Sequence, residues 1–287
     1  MIPKKFDYYA PASLNEAIQL LSENGEAKVL AGGQSLLTLM KMRLASPNVL
    51  VDISKIPNLS YIREEGDHLA IGALTTHDTI EHSPAIKEKF TILNEAVSKI
   101  GDQQIRNQGT IGGSACHADP AADPPTALRV VDAKFVAQGK KGERVVPAQD
   151  FFVDIFATAV DHDEVLTEIR LPYLPPKSGS AYVKHSLREH DPAIVNVGTV
   201  LTVGDGNVCK DLRIGFGAAG PTPLRATSAE QHLRGKTFDD KTIAEAAEKA
   251  TEGADPPSDV HSSREYRLEM IKVLTRRSLK IALSRVK

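Results

Sequence analysis

Two glycine pairs, each set in a small polar segment, carry the residue types and spacing that suit chemistry in this chain. One is Ala31-Gly32-Gly33-Gln34-Ser35-Leu36; the other is Thr110-Ile111-Gly112-Gly113-Ser114, running on through His117, Asp119 and Asp123 about eighty residues later. Each follows a stretch able to enter a strand or helix. Each also places two consecutive residues without Cβ where backbone N–H groups can close on an anion. Two such cradles suit a ligand with two phosphates and long polar arms, such as a dinucleotide. Taken singly, a Gly-Gly pair is as readily a plain turn.

A third glycine run is a decoy. Gly215-Phe216-Gly217-Ala218-Ala219-Gly220 spells G-x-G-x-x-G behind a predicted strand, with Asp239 and Asp240 about twenty residues on. The dinucleotide fingerprint needs a helix that runs through its third glycine. Pro221 and Pro223 follow at once, and a proline inside a helix costs about 3 kcal/mol. A strand end made of small residues is the better account.

Composition narrows the function classes. A chain of 287 residues, 41% hydrophobic and 25% charged, is an ordinary globular protein with room for two or three cores. Its net charge of −2 argues against a nucleic-acid partner, which would call for a basic excess. Tryptophan is absent, so no Trp anchors a membrane interface or an exposed binding patch. The only two cysteines, Cys116 and Cys209, cannot hold an iron–sulfur cluster by four-Cys ligation or a Cys-rich zinc site. A single disulfide between them stays open, and a reducing compartment is the simpler reading. The histidines show no metal-ligand spacing; His117, His185 and His190 are scattered. The segment Met1-Ile2-Pro3-Lys4-Lys5-Phe6 lacks the apolar core of a signal peptide. No run approaches the ~18 apolar residues of a membrane span. These points place the chain in the cytoplasm, with attachment to a membrane only through a partner.

The elements that must position the glycine segments follow from periodicity. Ser13-Leu14-Asn15-Glu16 spells a capping box, Leu14, Ala17, Ile18 and Leu21 line one helical face, and Asn24-Gly25 ends it. A strand over 27–30 enters the first glycine segment, a helix over 36–44 leaves it, and 49–53 is a buried strand. That is a β-α-β unit with the glycines at its strand-to-helix corner, where anion sites commonly sit. Residues 61–71 read as a hairpin turning at Gly66-Asp67, and 76–100 as helix broken at Pro84. Strands over 133–138, 144–147 and 164–171 suggest an antiparallel sheet. Pro172, Pro175, Pro176, Ser178 and Gly179 mark a linker. Beyond it come strands over 181–186, 193–203 and 211–217, then helices over 241–252 and from a capping box at 262–265 onward. The last helix presents Tyr266, Met270, Val273, Leu274 and Ile281, and its Arg276, Arg277 and Lys280 suit the C-terminal dipole. No internal repeat is visible.

Four segments together carry a family likeness: AGGQSL from Ala31, QIRNQGTIGGSACHADPAADPP from Gln104, DEVLTEIRLP from Asp163 and YVKHSLREHDPA from Tyr182. Over essentially its whole length the chain resembles the flavin-binding medium subunit of molybdenum-containing hydroxylases, a group that includes carbon monoxide, xanthine, aldehyde, nicotine and quinoline oxidoreductases. The resemblance implies an α+β protein of three parts. Two α/β FAD-binding subdomains of the vanillyl-alcohol-oxidase type, residues 1–56 and 57–175, would clasp FAD. A C-terminal α+β domain, residues 176–287 with an antiparallel sheet and helices, would cover the flavin.

Carried over by position, Val29, Leu30, Ala31, Gly32, Gly33, Gln34, Ser35 and Leu36 would wrap the pyrophosphate. Thr110, Ile111, Gly112, Gly113 and Ser114 would form the second cradle, with Ile100 ahead of it and His117 and Asp119 behind. Asp123 would accept hydrogen bonds from hydroxyls of the cofactor, Val165 and Leu166 would offer backbone to the isoalloxazine edge, and Lys184 and Arg188 would lie near the flavin. A carboxylate beside a diphosphate would repel it, so hydroxyl donors suit Asp123 better. A cation near the flavin N1–C2=O locus would stabilise the anionic reduced ring. The competing plain readings are a turn-capping carboxylate for Asp123 and a solvated strand face for Lys184 and Arg188.

FAD would be held without a covalent bond, with neither a catalytic side chain nor a metal on this chain. The resemblance further implies a large partner carrying the molybdenum cofactor and a small partner carrying [2Fe-2S] clusters, in a dimer of heterotrimers. Electrons would leave through FAD to an external acceptor such as NAD⁺, oxygen or a quinone. A stand-alone oxidase of the vanillyl-alcohol-oxidase type and a flavin-free assembly protein are the competing readings; the first needs a larger capping domain, and intact glycines count against the second. Two departures stand out. Gln34 replaces a His common in the carbon monoxide dehydrogenases, which leans toward an aldehyde or N-heterocycle as substrate of the complex. Pro192 replaces an aromatic residue that those enzymes place close to the flavin, leaving Tyr182 and His190 as the nearest groups able to cover it.

Overall fold

The computed structural model describes residues 2–286. The first unit comprises β1 (Asp7–Tyr9), α1 (Leu14–Glu23), β2 (Lys28–Leu30), α2 (Leu36–Lys41) and β3 (Val49–Asp52). Its three strands form a parallel sheet in the order β1-β3-β2. Ser13 caps α1, but Glu16 reaches past it to accept from the Ala12 N–H at 2.9 Å, one residue earlier than the box predicts. Ala17, Ile18 and Leu21 bury against Val49, Val51 and Ile53 as the periodicity requires. Helix α2 stops at Lys41 instead of continuing to Leu44, because the chain turns left-handed at Arg43, φ 62°. Strand β1 has no alternation to announce it; all its residues are exposed, and it exists because β3 offers a free edge.

The second unit runs through β4 (Ile62–Glu64), β5 (His68–Gly72), α3 (His77–His82), α4 (Pro84–Lys89), α5 (Thr91–Ser98), α6 (Gln103–Gln108), α7 (Ile111–His117) and α8 (Asp123–Val130). It continues with β6 (Lys134–Gly139), β7 (Gly142–Pro147), α9 (Ala148–Phe151), β8 (Phe152–Asp154), β9 (Ala157–Thr158) and β10 (Val165–Pro172). Five strands make the expected antiparallel sheet, ordered β4-β5-β10-β6-β7. The helical stretch breaks at Ser83-Pro84, where Pro84 starts α4 under a Ser83 cap, and again at Phe90. Phe135 stacks on Phe151 at 3.7 Å in the core.

The third unit is β11 (Ser178–His185), β12 (Val195–Val203), β13 (Cys209–Gly217), β14 (Leu224–Arg225), α10 (Thr227–Leu233), α11 (Asp240–Lys249) and α12 (Arg264–Ser284). Its four strands are antiparallel in sequential order. Every residue of β12 is buried, because α12 covers one side of the sheet and α5 and α8 the other. The G-x-G-x-x-G run ends β13 and no helix follows. Its glycines serve packing: a Cβ on Gly215 would sit 2.6 Å from Val130 Cγ2, and one on Gly217 would sit 2.7 Å from Thr126 Oγ1.

Three expectations about α12 fail wholly or in part, although Leu274 is buried as expected and Met270 and Ile281 pack at the edge of the core. Its N-cap is Ser263, not Ser262, and it buries Arg267, Ile271, Leu274, Thr275, Ser278, Leu279 and Ala282, with Tyr266 left exposed. Of the polar residues on that face, Ser278 Oγ meets Thr199 Oγ1 at 2.7 Å and Arg267 donates to the Ile194 carbonyl and Asp259, while Thr275 Oγ1 and Arg267 Nε are buried without a partner among the described residues. Arg276 and Lys280 pair with Glu248 and Asp240 of α11, each at 2.6 Å, so they tie two helices together and do not neutralise a helix end. Among the described residues no helix is long and apolar enough to cross a membrane.

Candidate cofactor site

The first glycine segment is an open anion nest. Strand β2 ends at Leu30, and the backbone N–H groups of Gly32, Gly33, Gln34 and Ser35 find no protein acceptor among the described residues. Gly33 adopts φ 72°, a left-handed conformation that lets successive N–H groups turn toward one side. The Gln34 side-chain amide folds back on the Gly32 carbonyl at 3.4 Å.

The second segment departs from the expectation of free donors. It is the first turn of α7, and its N–H groups are already used: Ile111 donates to Thr75 O, Gly112 to Ala73 O, Gly113 to Thr110 Oγ1 and Ser114 to Thr110 O. Its glycines act by close approach. A Cβ on Gly112 would lie 2.6 Å from the Ala73 Cβ. Gly113 is open apart from the capping Thr110 Oγ1 and, at 3.8 Å, the Ala31 Cβ of the first segment. A Cβ on Gly32 would fall 1.9 Å from the Gln108 carbonyl oxygen, just ahead of α7. The two glycine segments are therefore pressed together, with donors on one wall and small, cap-fixed residues on the other.

Val165 and Leu166 bury their side chains at the start of β10, which leaves only their backbone to offer. The pairing of β10 with β6 slips between Leu166 and Glu168, and the freed Thr167 carbonyl accepts from the Ala73 N–H at 2.9 Å. This bulge thus reaches Gly112 through Ala73.

Asp123 and Lys184 meet each other. Asp123 is only 5% exposed at the start of α8. One carboxylate oxygen accepts from Lys184 Nζ at 2.9 Å and the other from the Tyr182 hydroxyl. Lys184 also donates to the Lys99 carbonyl at 3.1 Å, beside Ile100, whose own carbonyl accepts from Arg106. Neither residue is a turn cap or a solvated strand face. Burial pushes the Asp123 carboxyl above the ordinary carboxylate range against the pull of Lys184 and Tyr182. Burial, then the Asp123 charge, likewise holds the Tyr182 phenol well above its ordinary value. Tyr182 is thus committed to Asp123 and is not free to shield a flavin face, while His190 is exposed.

His117 packs on Phe156 with ring centroids 5.0 Å apart, and burial lowers its pKa against the opposing charge of Asp119. The Asp119 carboxylate accepts from the Ala121 N–H. Asp119 and Arg188 line a cavity of about 1170 Å³ together with Phe156, Leu187, Asp191 and Pro192. Sequence reasoning missed Tyr182 as a partner of Asp123, although the period of a strand puts it on the same face as Lys184. It also missed Asn196, a lone amide in the apolar run of β12 that is fully buried.

An α+β chain with an anion nest, a glycine-faced counter-wall and a buried carboxylate–lysine pair is a binder of a phosphate-bearing cofactor. Residues 4–174 match the family described as FAD binding domain in molybdopterin dehydrogenase, and residues 180–282 match the CO dehydrogenase flavoprotein C-terminal domain. The chain belongs to the FAD-binding medium subunits of the molybdenum-containing hydroxylases, and it is a flavoprotein component of an oxidoreductase. It is 39% identical to subunit alpha of the 6-hydroxypseudooxynicotine dehydrogenase complex of Paenarthrobacter nicotinovorans, over 100% of this chain and 97% of that one. It is 38% identical to the carbon monoxide dehydrogenase medium chain of Hydrogenophaga pseudoflava, over 99% of each. A solved carbon monoxide dehydrogenase from that organism, lacking the Mo-pyranopterin moiety, superposes with TM-score 0.97 at 39% identity over 100% of both chains. A quinoline 2-oxidoreductase structure from Pseudomonas putida 86 gives TM-score 0.93 at 36% identity over 99% of both. The residues present fit FAD: Gly32 to Ser35 supply unpaired donors for a diphosphate, and side chains at Gly32 and Gly113 would push the two walls apart or fill the space between them.

Proposed function

We propose that this chain is the electron-output subunit of a three-subunit molybdenum hydroxylase, receiving electrons from iron–sulfur clusters on a small partner and passing them to an external acceptor. The observation that carries the reading is the nest of unpaired N–H groups over Gly32–Ser35, pressed against the Gln108–Gly113 wall. Bound FAD supplies the redox chemistry, accepting and releasing electrons and protons at its ring.

The chain's residues bind and orient. The nest donates to the pyrophosphate, with Val29 to Leu36 forming its rim. Thr110 holds the first turn of α7 closed through Gly113, so that wall is set before any ligand arrives. Ile111, Gly112 and Ser114 complete that wall, with His117 and Asp119 behind them. Asp123, held by Lys184 and Tyr182, accepts from cofactor hydroxyls, and the Ile100, Val165 and Leu166 backbones border the ring. Lys184, paired with Asp123, lies on the same side, while Arg188 stands at the cavity mouth, where an acceptor enters.

We further assign the first two units, divided near residue 56, to the vanillyl-alcohol-oxidase type of FAD-binding fold, and the chain beyond residue 175 to a covering domain. A core centred in each unit supports that division, with Leu59, Leu74 and Val165 joining the first core and Tyr182 and Val200 the second. Likeness over nearly the full length of a named medium chain supports a subunit of a dimer of heterotrimers over a stand-alone oxidase. Gln34 favours an aldehyde or N-heterocycle as the complex's substrate.

The test is the purified full chain. It should carry a flavin spectrum, and acid precipitation should release all of that flavin into the supernatant. A colourless chain that takes up no added FAD would overturn the reading, and flavin remaining on the pellet would overturn its non-covalent attachment.

A further inference from the structure

The segment between the second glycine wall and Asp123 is gripped residue by residue from the C-terminal domain. The Ala218 N–H, at the end of β13, donates to the Pro120 carbonyl at 2.7 Å. The Ala193 N–H, just before β12, donates to the Ala121 carbonyl at 3.4 Å. Asn196 Nδ2 donates to the Ala122 carbonyl at 3.3 Å. Tyr182 and Lys184 of β11 donate to the two oxygens of the Asp123 carboxylate. Four consecutive residues are thus held by three neighbouring strands or their ends.

The grip is itself fixed. Asn196 Oδ1 accepts from the Gly217 N–H at 3.0 Å, and a Cβ on Gly217 would lie 2.9 Å from that amide. The Tyr182 N–H donates to Glu95, which Arg285, the C-cap of α12, holds from the other side. The gripped segment begins two residues after Ala118, whose left-handed turn at φ 50° ends α7. Any slack at residues 120–123 therefore passes directly to α7 and its glycines.

We propose that Tyr182 and Asn196 are positioning residues for the cofactor: through them the C-terminal domain sets how tightly the chain holds FAD, although it carries neither glycine segment. This rests on the FAD reading above. Tyr182 acts through the charge on Asp123, because its hydroxyl bonds the ionised carboxylate more strongly than the protonated acid. The charged and titratable groups around that carboxylate are Lys184 and the neutral Tyr182 phenol from β11 and Lys99 after α5. Glu95 of α5 is neutralised by Arg285. His117 of α7 faces Asp119. On β13 and β14, Arg213 and Arg225 are tied to Asp132 past the far end of α8, where Asp150 faces Arg129.

The experiment titrates the deflavinated full chain with FAD across the acid-to-neutral pH range. Tyr182→Phe should weaken binding about ten-fold, the value of one hydrogen bond to a charged group. It should also move the acid limb of the binding curve to higher pH, because a carboxylate that has lost a donor takes up its proton more readily. Site-specific 3-fluorotyrosine at 182, a stronger donor of the same shape, should move that limb to lower pH, and it decides the matter if Tyr182→Phe does not fold. Asn196→Ser should weaken binding with no movement of the limb. An unchanged limb in both Tyr182 variants would overturn the proposal even if affinity fell, since packing alone would then explain Tyr182. Failure of the parent chain to bind FAD would instead overturn the FAD reading, a result distinct from either.

Discussion

Replacing Gly32 with alanine should break the cofactor site more severely than any other single methyl group added to the chain's glycine segments. The new Cβ would lie 1.9 Å from the Gln108 carbonyl oxygen and 2.7 Å from its carbon, both backbone atoms that no rotamer change can move. Reaching an ordinary contact of 3.4 Å requires the two segments to separate by about 1.5 Å. An N–H···O bond tolerates only about 0.5 Å of spread, so the nest would lose its aim. If two of its donors drop away from the diphosphate, each worth about 1.5–3 kcal/mol to a charged acceptor, affinity should fall roughly 10²- to 10⁴-fold. The strain in the chain itself should cost about 1–3 kcal/mol of stability. Two controls scale the effect. Gly33→Ala meets a left-handed φ of 72° and only the side chains of Leu37 and Leu30, so about 1–2 kcal/mol, or roughly ten-fold, is expected. Gly66→Ala, with nothing within 4 Å, should change nothing. The assay is quenching of FAD fluorescence on titration of each deflavinated chain, with denaturant unfolding in parallel. A folded Gly32→Ala chain that binds FAD as tightly as the parent would refute the reasoning.

Pro192 lines the large cavity with Leu187 and Phe156, where proline can neither stack on nor shield a ring. Pro192→Tyr should slow reoxidation of the reduced flavin, most for bulky acceptors; equal rates with dioxygen, quinones and dyes would remove this position from acceptor access. His77 is buried without a partner for Nδ1, and burial pushes its pKa down to about 4. The unfolded chain, with an ordinary histidine near 6.5, then binds the extra proton between those values. Stability should therefore fall as pH drops through that window, by about 3 kcal/mol in total. His77→Gln should flatten the slope, measured as unfolding free energy at several pH values; an identical slope in the variant would assign the acid sensitivity elsewhere.

The sequence alone determined the local elements and where to look. Helix α1, the strands of the second sheet and the three long strands of the third unit follow from the periods of their apolar residues, which report one chain segment at a time. Pro221 and Pro223 removed the false fingerprint for an equally local reason, since a helix there would lack an N–H and clash. The paired glycine segments pointed to the cofactor site, and the quoted segments to its family. Only the tertiary structure decided which backbone groups remain free. Gly112, Gly113 and Ser114 look like donors in sequence, but Ala73 and Thr110 take them, while Gly32 to Ser35 are left unpaired. It likewise chose the buried face of α12, where Ser278 is buried because Thr199 waits in β12, while Val273 is left half-buried. It also turned Asp123, Tyr182 and Lys184 into one buried network. Strand alternation places Tyr182 and Lys184 on a common face, but it cannot say that the start of α8 stands opposite. A hydrogen bond is settled by which group arrives within 3 Å, and for residues sixty positions apart that is a property of the packed chain.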